Sequence, residues 1–133
     1  MKSSKGRQWS AYQGSAFTIE WYWSLQGTSS ALEYFEAMPE DRQDDLLMLL
    51  KRMGDLGRIF DKRKFRSEGD QIFAFKPQPD RFLCFFTTGR KIIIASAFVK
   101  KSDKLPPGEK DRALRAKADY EARVRKGTYY ETD

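Results

Sequence analysis

The sequence predicts an α+β domain: an antiparallel sheet with one face covered by a helical hairpin, in the order strand, two-helix hairpin, three strands, C-terminal helix. Three observations carry this. FTIEWYW near the N-terminus alternates with a period of two, residues 30–56 repeat apolar side chains every three to four, and beyond residue 71 three short runs rich in aromatic or β-branched residues are separated by turn signals.

In FTIEWYW, Phe17, Ile19, Trp21 and Trp23 share one face of a half-buried strand, with Thr18, Glu20 and Tyr22 on the other. Ser30, with Glu33 three residues on, has the capping-box pattern of a helix start, and Leu32, Phe35 and Met38 follow at helical spacing. Pro39 breaks that helix and suits the first turn of the next, because its fixed φ fits a helix start and not an interior. In the second helix Leu46, Leu50 and Met53 form the apolar face. Acidic Asp41, Asp44 and Asp45 precede basic Lys51 and Arg52, the order that complements the helix dipole, and Gly57 is placed as a C-cap.

RIFDKRKFRSEGD reads as a basic, irregular connection, after which IFAFK, RFLCFF and IIIASAFV are strands separated by KPQPD and TTGRK. Loops this short make the three strands antiparallel neighbours. After PPGEK, the stripe Ala113, Ala116, Tyr120 and Val124 predicts a final helix with Gly127 as its stop. Residues 15–127 are expected to form a single domain between a flexible tail at 1–14 and a C-terminal tail at 128–133.

With 133 residues the chain is long enough for one core without metal or disulfide support. Cys84 is the only cysteine and lies in the apolar run FLCFF, so it reads as a buried, inert side chain. There is no apolar leader and no run able to span a bilayer, and a cytoplasmic location is expected. The positive charge is concentrated: residues 58–104 carry 12 Lys/Arg against 5 Asp/Glu, while residues 1–57 carry 6 against 8. A cationic segment within a folded domain is the footprint of a polyanionic partner, nucleic acid first.

The chain has no histidine, which excludes a histidine triad, a His-ligated metal site and the two-histidine pair of many ribonucleases. No cofactor or metal site is expected, and no phosphate-cradling glycine loop is present. One reaction tolerates that inventory: metal-independent RNA cleavage by the substrate's own 2′-hydroxyl, which needs only proton transfer and charge neutralisation at phosphorus. Strand order brings Lys76, Arg81, Lys100 and Lys101 toward one edge of the sheet. Each alone reads as an ordinary strand-end charge; as a set they point to phosphate.

TSSALEYFEAMPEDRQDDLLMLLKRMGDLG resembles the helical hairpin of the RelE/ParE toxin superfamily in its phage-derived, HigB-like branch. IFAFK is similar to that branch's "YELR" strand, DRFLCFF to "YRVFYFF", and AFVKKSDKLPP to "GFVKKTQKTP". The resemblance spans residues 16–124 in unbroken order. It implies a RelE-like fold and a type II toxin, a ribosome-dependent mRNA interferase acting on mRNA at the ribosome. It also implies a cognate antitoxin, often of helix-turn-helix type, as partner. Residue by residue it assigns Arg81 and Lys76 as catalytic and the Lys100 and Lys101 pair, followed by Lys104, as RNA-binding; by region it adds Lys62, Lys64 and Arg66. The family tyrosine is replaced by Cys84, and the fork-shaped arginine of "YELR" by the point charge of Lys76. These departures leave an attenuated toxin, or a protein-binding module on the same fold, as the alternative.

Overall fold

The computed structural model describes residues 7–131. In chain order the elements are β1 (Ser10–Gln13), β2 (Thr18–Trp21), α1 (Ser30–Ala37), α2 (Glu40–Leu56), β3 (Phe65–Ser67), β4 (Phe73–Phe75), β5 (Asp80–Thr87), β6 (Lys91–Val99) and α3 (Pro107–Arg125). The architecture is the expected RelE-like α+β fold, with β1 and β3 added to the anticipated strands.

The strands form one sheet in the order β1-β2-β6-β5-β4-β3. β4, β5 and β6 are antiparallel neighbours, as their short loops demand. The expectation of a wholly antiparallel sheet is corrected at β2, which runs parallel to β6 with Ile19 opposite Ile92 and Trp21 opposite Ile94. Two helices and three strands separate these partners in the chain, so no tight turn dictates their relative direction.

β1 corrects the reading of residues 1–14 as a tail, the first six of which lie outside the described residues. Ser10–Gln13 pair antiparallel with β2, and the Tyr12 hydroxyl donates to the Asp55 carboxylate of α2 at 2.8 Å. The C-terminal segment 128–133, of which the last two residues lie outside the described ones, is corrected similarly. Tyr129 is buried, its hydroxyl accepts from the Trp23 backbone N–H at 2.9 Å, and Arg123 lies 4.7 Å from its ring centre. Both segments are polar in composition and are held by a few long-range aromatic contacts.

The helical hairpin forms as its spacing predicts, one residue out of step at its start. Ser29, not Ser30, is the N-cap: its backbone is extended and its hydroxyl accepts from the Leu32 N–H at 3.4 Å. Pro39 precedes α2, and Gly57 closes it in the left-handed region at φ 82°, with its N–H bonded to the Met53 carbonyl at 2.9 Å. Leu46, Leu50 and Met53 are buried against Ile19, Trp21, Cys84, Ile92 and Ile94 of the sheet. Truncating Leu50 to Ala is expected to cost about 2–5 kcal/mol. The β1–β2 turn lies directly on α2: the N–H groups of Ala16 and Phe17 donate to the Gly54 carbonyl, and a Cβ at Gly14 would meet that carbonyl at 2.2 Å.

The opposite face is not left open, as the sequence had implied. Ala113, Ala116 and Tyr120 of α3 are buried against Ala74, Leu83, Phe85, Ile93 and Ala95, so α3 forms a second helical layer. Small side chains at its contact positions let the helix lie close to the sheet. Val124, read as part of that stripe, is exposed. A cluster of basic residues gathers where α3 begins and leaves the ends of β4, β5 and β6 uncovered.

A bulge decides which residues reach that opening. Leu83 pairs with Ser96, but Cys84 pairs with Ile94, leaving Ala95 as an extra residue in β6. Ile93 and Ala95 face α3. Without the extra residue, alternation would carry odd positions to that face; with it, Phe98 and Lys100 point there instead.

Candidate nucleic-acid interface

Beyond the N-terminus of α3 the α3-side face opens into a cavity of about 210 Å³. Each wall follows from strand alternation. β3 supplies Arg66, the residue after β4 supplies Lys76, the start of β5 supplies Arg81, and the segment after β6 supplies Lys100 and Lys104. Ala74, Leu83 and Phe98 form an apolar floor. The sequence had left β3 as an irregular connection; its pairing with β4, Arg66 opposite Ala74, is what turns Arg66 inward.

Lys76 and Arg81 are the deep members, 9% and 8% exposed. The Lys76 ammonium donates to the Lys62 carbonyl at 3.4 Å. Arg81 donates to the backbone carbonyl of Asp80 at 2.9 Å and to Gln78 Oε1 at 3.4 Å. All of these acceptors are neutral. Burial, reinforced by Arg66 and Arg81, pushes the Lys76 pKa below the ordinary lysine value; burial, with Arg66, lowers that of Arg81. Two carboxylates complete the lining: Glu68, 3.6 Å from Arg66, and Asp103, 3.2 Å from Lys100.

Of the residues singled out in sequence, Arg66, Lys76, Arg81, Lys100 and Lys104 come together here. Lys101 is exposed and does not line the cavity, having the opposite parity to Lys100. Lys62 is exposed and reaches the site through its carbonyl. Lys64 lines a separate cavity of about 280 Å³ against α2, beside Asp45, Met48 and Arg52. Sequence reasoning missed Glu68, which lies in the segment read as a basic connection, and Gln78 in the KPQPD turn.

Chemically the cavity sets cationic side chains over an apolar floor. Fixed cations over an apolar floor interact strongly with a phosphodiester, and with the additional charge of a pentavalent phosphorus more strongly still. Cys84 contributes nothing, since it is buried on the hairpin side and burial pushes its thiol far above the ordinary range. Among the described residues no group of three or more His, Cys, Asp or Glu is placed to hold a metal ion, and no helix is long and apolar enough to cross a membrane. No curated protein matches the chain. The family described as Phage derived protein Gp49-like (DUF891) matches residues 33–118, a span that contains every residue lining the cavity.

Proposed function

The chain belongs to this Gp49-like phage-derived family, and through it to the RelE/ParE-like toxins of type II toxin-antitoxin systems; from that premise we propose that it is a HigB-like, ribosome-dependent mRNA interferase. Family membership implies an antitoxin partner, for which a helix-turn-helix protein is the expected type. The observation that carries the proposal is the pair Lys76 and Arg81, two deeply placed cations whose hydrogen bonds go to neutral acceptors and whose pKa values burial and neighbouring cations lower.

In this reading mRNA lies across the cavity with its scissile phosphate against Arg81. The substrate's 2′-oxygen attacks phosphorus, the bond to the 5′-oxygen breaks, and the products are a 2′,3′-cyclic phosphate and a 5′-hydroxyl. Arg81 stabilises the charge that develops on the phosphorane oxygens. Lys76 takes part in proton transfer, made easier by its lowered pKa. Arg66, Lys100 and Lys104 hold the backbone, while Lys62, Lys64 and Lys101, outside the cavity, meet flanking RNA or ribosomal RNA.

Induced expression in a bacterium should arrest growth and produce new 5′ ends within translated mRNA, and Arg81→Ala should relieve both. Absence of arrest and of cleavage by the intact chain would sink the proposal. The competing reading, a protein-binding module on the same fold, draws on the lack of histidine and tyrosine in the cavity lining. It predicts no cleavage with or without ribosomes.

A further inference from the structure

Glu68 is a carboxylate inside a ring of cations, and its placement is built rather than incidental. It lines the cavity with its side chain 11% exposed, whereas that of Asp103, the other lining acid, is 100% exposed. Its charged neighbours are Arg66 on β3, Lys76 after β4 and Arg81 on β5. From α3, the nearby Lys110 is engaged elsewhere, bonded to Asp70 at 2.8 Å. The Arg66 contact, at 3.6 Å, is too long for a hydrogen bond. The carboxylate thus sits among positive charges, and among the described residues no donor is hydrogen-bonded to it.

The backbone that carries Glu68 is strained. Gly69, Asp70 and Gln71 all lie in the left-handed region, at φ 88°, 54° and 66°. For Asp70 and Gln71 this conformation is unfavourable and persists only where the surroundings enforce it. Here they do. The Glu68 N–H donates to the Ile72 carbonyl at 2.7 Å, the Ile72 N–H donates to the Gly69 carbonyl at 3.0 Å, and Ile72 is fully buried under α3. Asp70 is bonded to α3 through Lys110. A tight turn pinned at both ends holds the preceding residue at the cavity wall.

Resting on the interferase reading of the cavity, we infer that Glu68 is the general base that takes the proton from the attacking 2′-hydroxyl. The step balances within the named groups. As the bond from the 2′-oxygen to phosphorus forms, the 2′ proton passes to Glu68; as the bond to the 5′-oxygen breaks, Lys76 gives that oxygen its proton. Exchange with water then restores both groups. A lowered lysine pKa makes Lys76 a better acid, and the lining offers no histidine or tyrosine to compete with Glu68 for the first proton.

The test is single-turnover cleavage of ribosome-bound mRNA by the full chain, followed from pH 6 to pH 9, for wild type, Glu68→Gln and Glu68→Asp. With Glu68 as base and Lys76 as acid, the wild-type rate is level at neutral pH and falls as Lys76 loses its proton. Glu68→Gln is expected to be slower by about 10²–10⁴-fold, with its residual rate rising with pH as hydroxide replaces the missing base. Affinity for the same mRNA carrying 2′-deoxy substitution, which cannot be cut, should be unchanged or higher. Glu68→Asp should recover part of the rate with the wild-type profile. A wild-type rate that climbs with pH, Glu68→Gln cleaving within threefold of wild type, or parallel loss of affinity in both variants overturns the role of Glu68 and leaves the interferase reading standing. No cleavage by wild type overturns both.

Discussion

Asp80 and Arg81 stand side by side at the start of β5, where alternation sends them to opposite faces of the sheet, and the protein treats two buried charges in opposite ways. On the hairpin face Asp80, 0% exposed, accepts from Arg42 Nε at 2.9 Å, from a second guanidinium nitrogen of the same residue and from the Tyr34 hydroxyl. Burial, and then the bond to Asp80, push the Tyr34 phenol up to about 12, so it remains a donor throughout the physiological range. On the α3 face Arg81 donates to a neutral carbonyl and a neutral amide, with Arg66, Lys76 and the Glu68 carboxylate as charged neighbours. A buried charge that is fully paired is there to fix structure; one with no direct ion pair and other cations beside it raises the free energy of the empty fold and is relieved by an anion. The difference separates scaffold from candidate site within two consecutive residues.

The largest expected effects break the two halves of that comparison separately. Arg81→Ala should lower the single-turnover rate of mRNA cleavage by roughly 10²–10³-fold, the usual consequence of losing one preorganised donor at the developing charge. The urea midpoint should hold or rise, because an unfavourable cation is gone. Asp80→Ala should do the reverse, lowering stability by about 3 kcal/mol in urea titration, with loss of activity only at temperatures where the variant unfolds. Equal loss of stability in both variants would show that Arg81 is as structural as its neighbour.

How much of this contrast the sequence shows depends on whether it follows from local pattern. The hairpin helices are legible because Leu46, Leu50 and Met53 recur at helical spacing between Pro39 and Gly57, and β4 to β6 because aromatic and β-branched runs are bounded by turn residues. Lys76 and Arg81 emerge as a pair from the length of KPQPD alone. β1 and β3 are not legible: at four and three residues they are too short for a periodic pattern, and tertiary pairing, not propensity, makes them strands. The β6 bulge leaves no mark in IIIASAFV, although it decides the facing of everything after it. The Asp80 bonds reach back 46 and 38 positions in the chain, beyond any periodicity, and Glu68 becomes notable only once its turn is seen against α3.

A smaller effect sharpens the account of the cation face. Burial and neighbouring cations disfavour the Lys76 ammonium, so the folded chain releases that proton at a lower pH than the unfolded chain does. Below the folded pKa the penalty is present in full; between the folded and the ordinary lysine values the unfolded state binds more protons, and stability rises with pH. Lys76→Met should therefore have a higher urea midpoint than wild type at pH 7, and the gap should narrow as pH approaches 10. A gap that is constant with pH would mean that the methionine gains by packing alone.

Lys100 and Lys101 repeat the contrast of Asp80 and Arg81 in the segment after β6, with exposure as the variable. Two lysines so close in sequence, on a surface rich in cations, are equivalent to any argument from net charge. They differ only because the extra residue at Ala95 shifts the parity of β6 and turns Lys100 inward. Each phosphate neutralised on single-stranded RNA contributes about 0.7 to the slope of log affinity against log salt. For a short RNA confined to the cavity, Lys100→Ala should reduce that slope by about 0.7, and Lys101→Ala should leave it unchanged. Deleting Ala95 to restore regular pairing should exchange the two results, if the variant folds as judged by its near-ultraviolet circular dichroism. Equal slopes for the two single variants would mean that RNA is held by the overall field of the basic segment, and that the facing set by the bulge does not govern recognition.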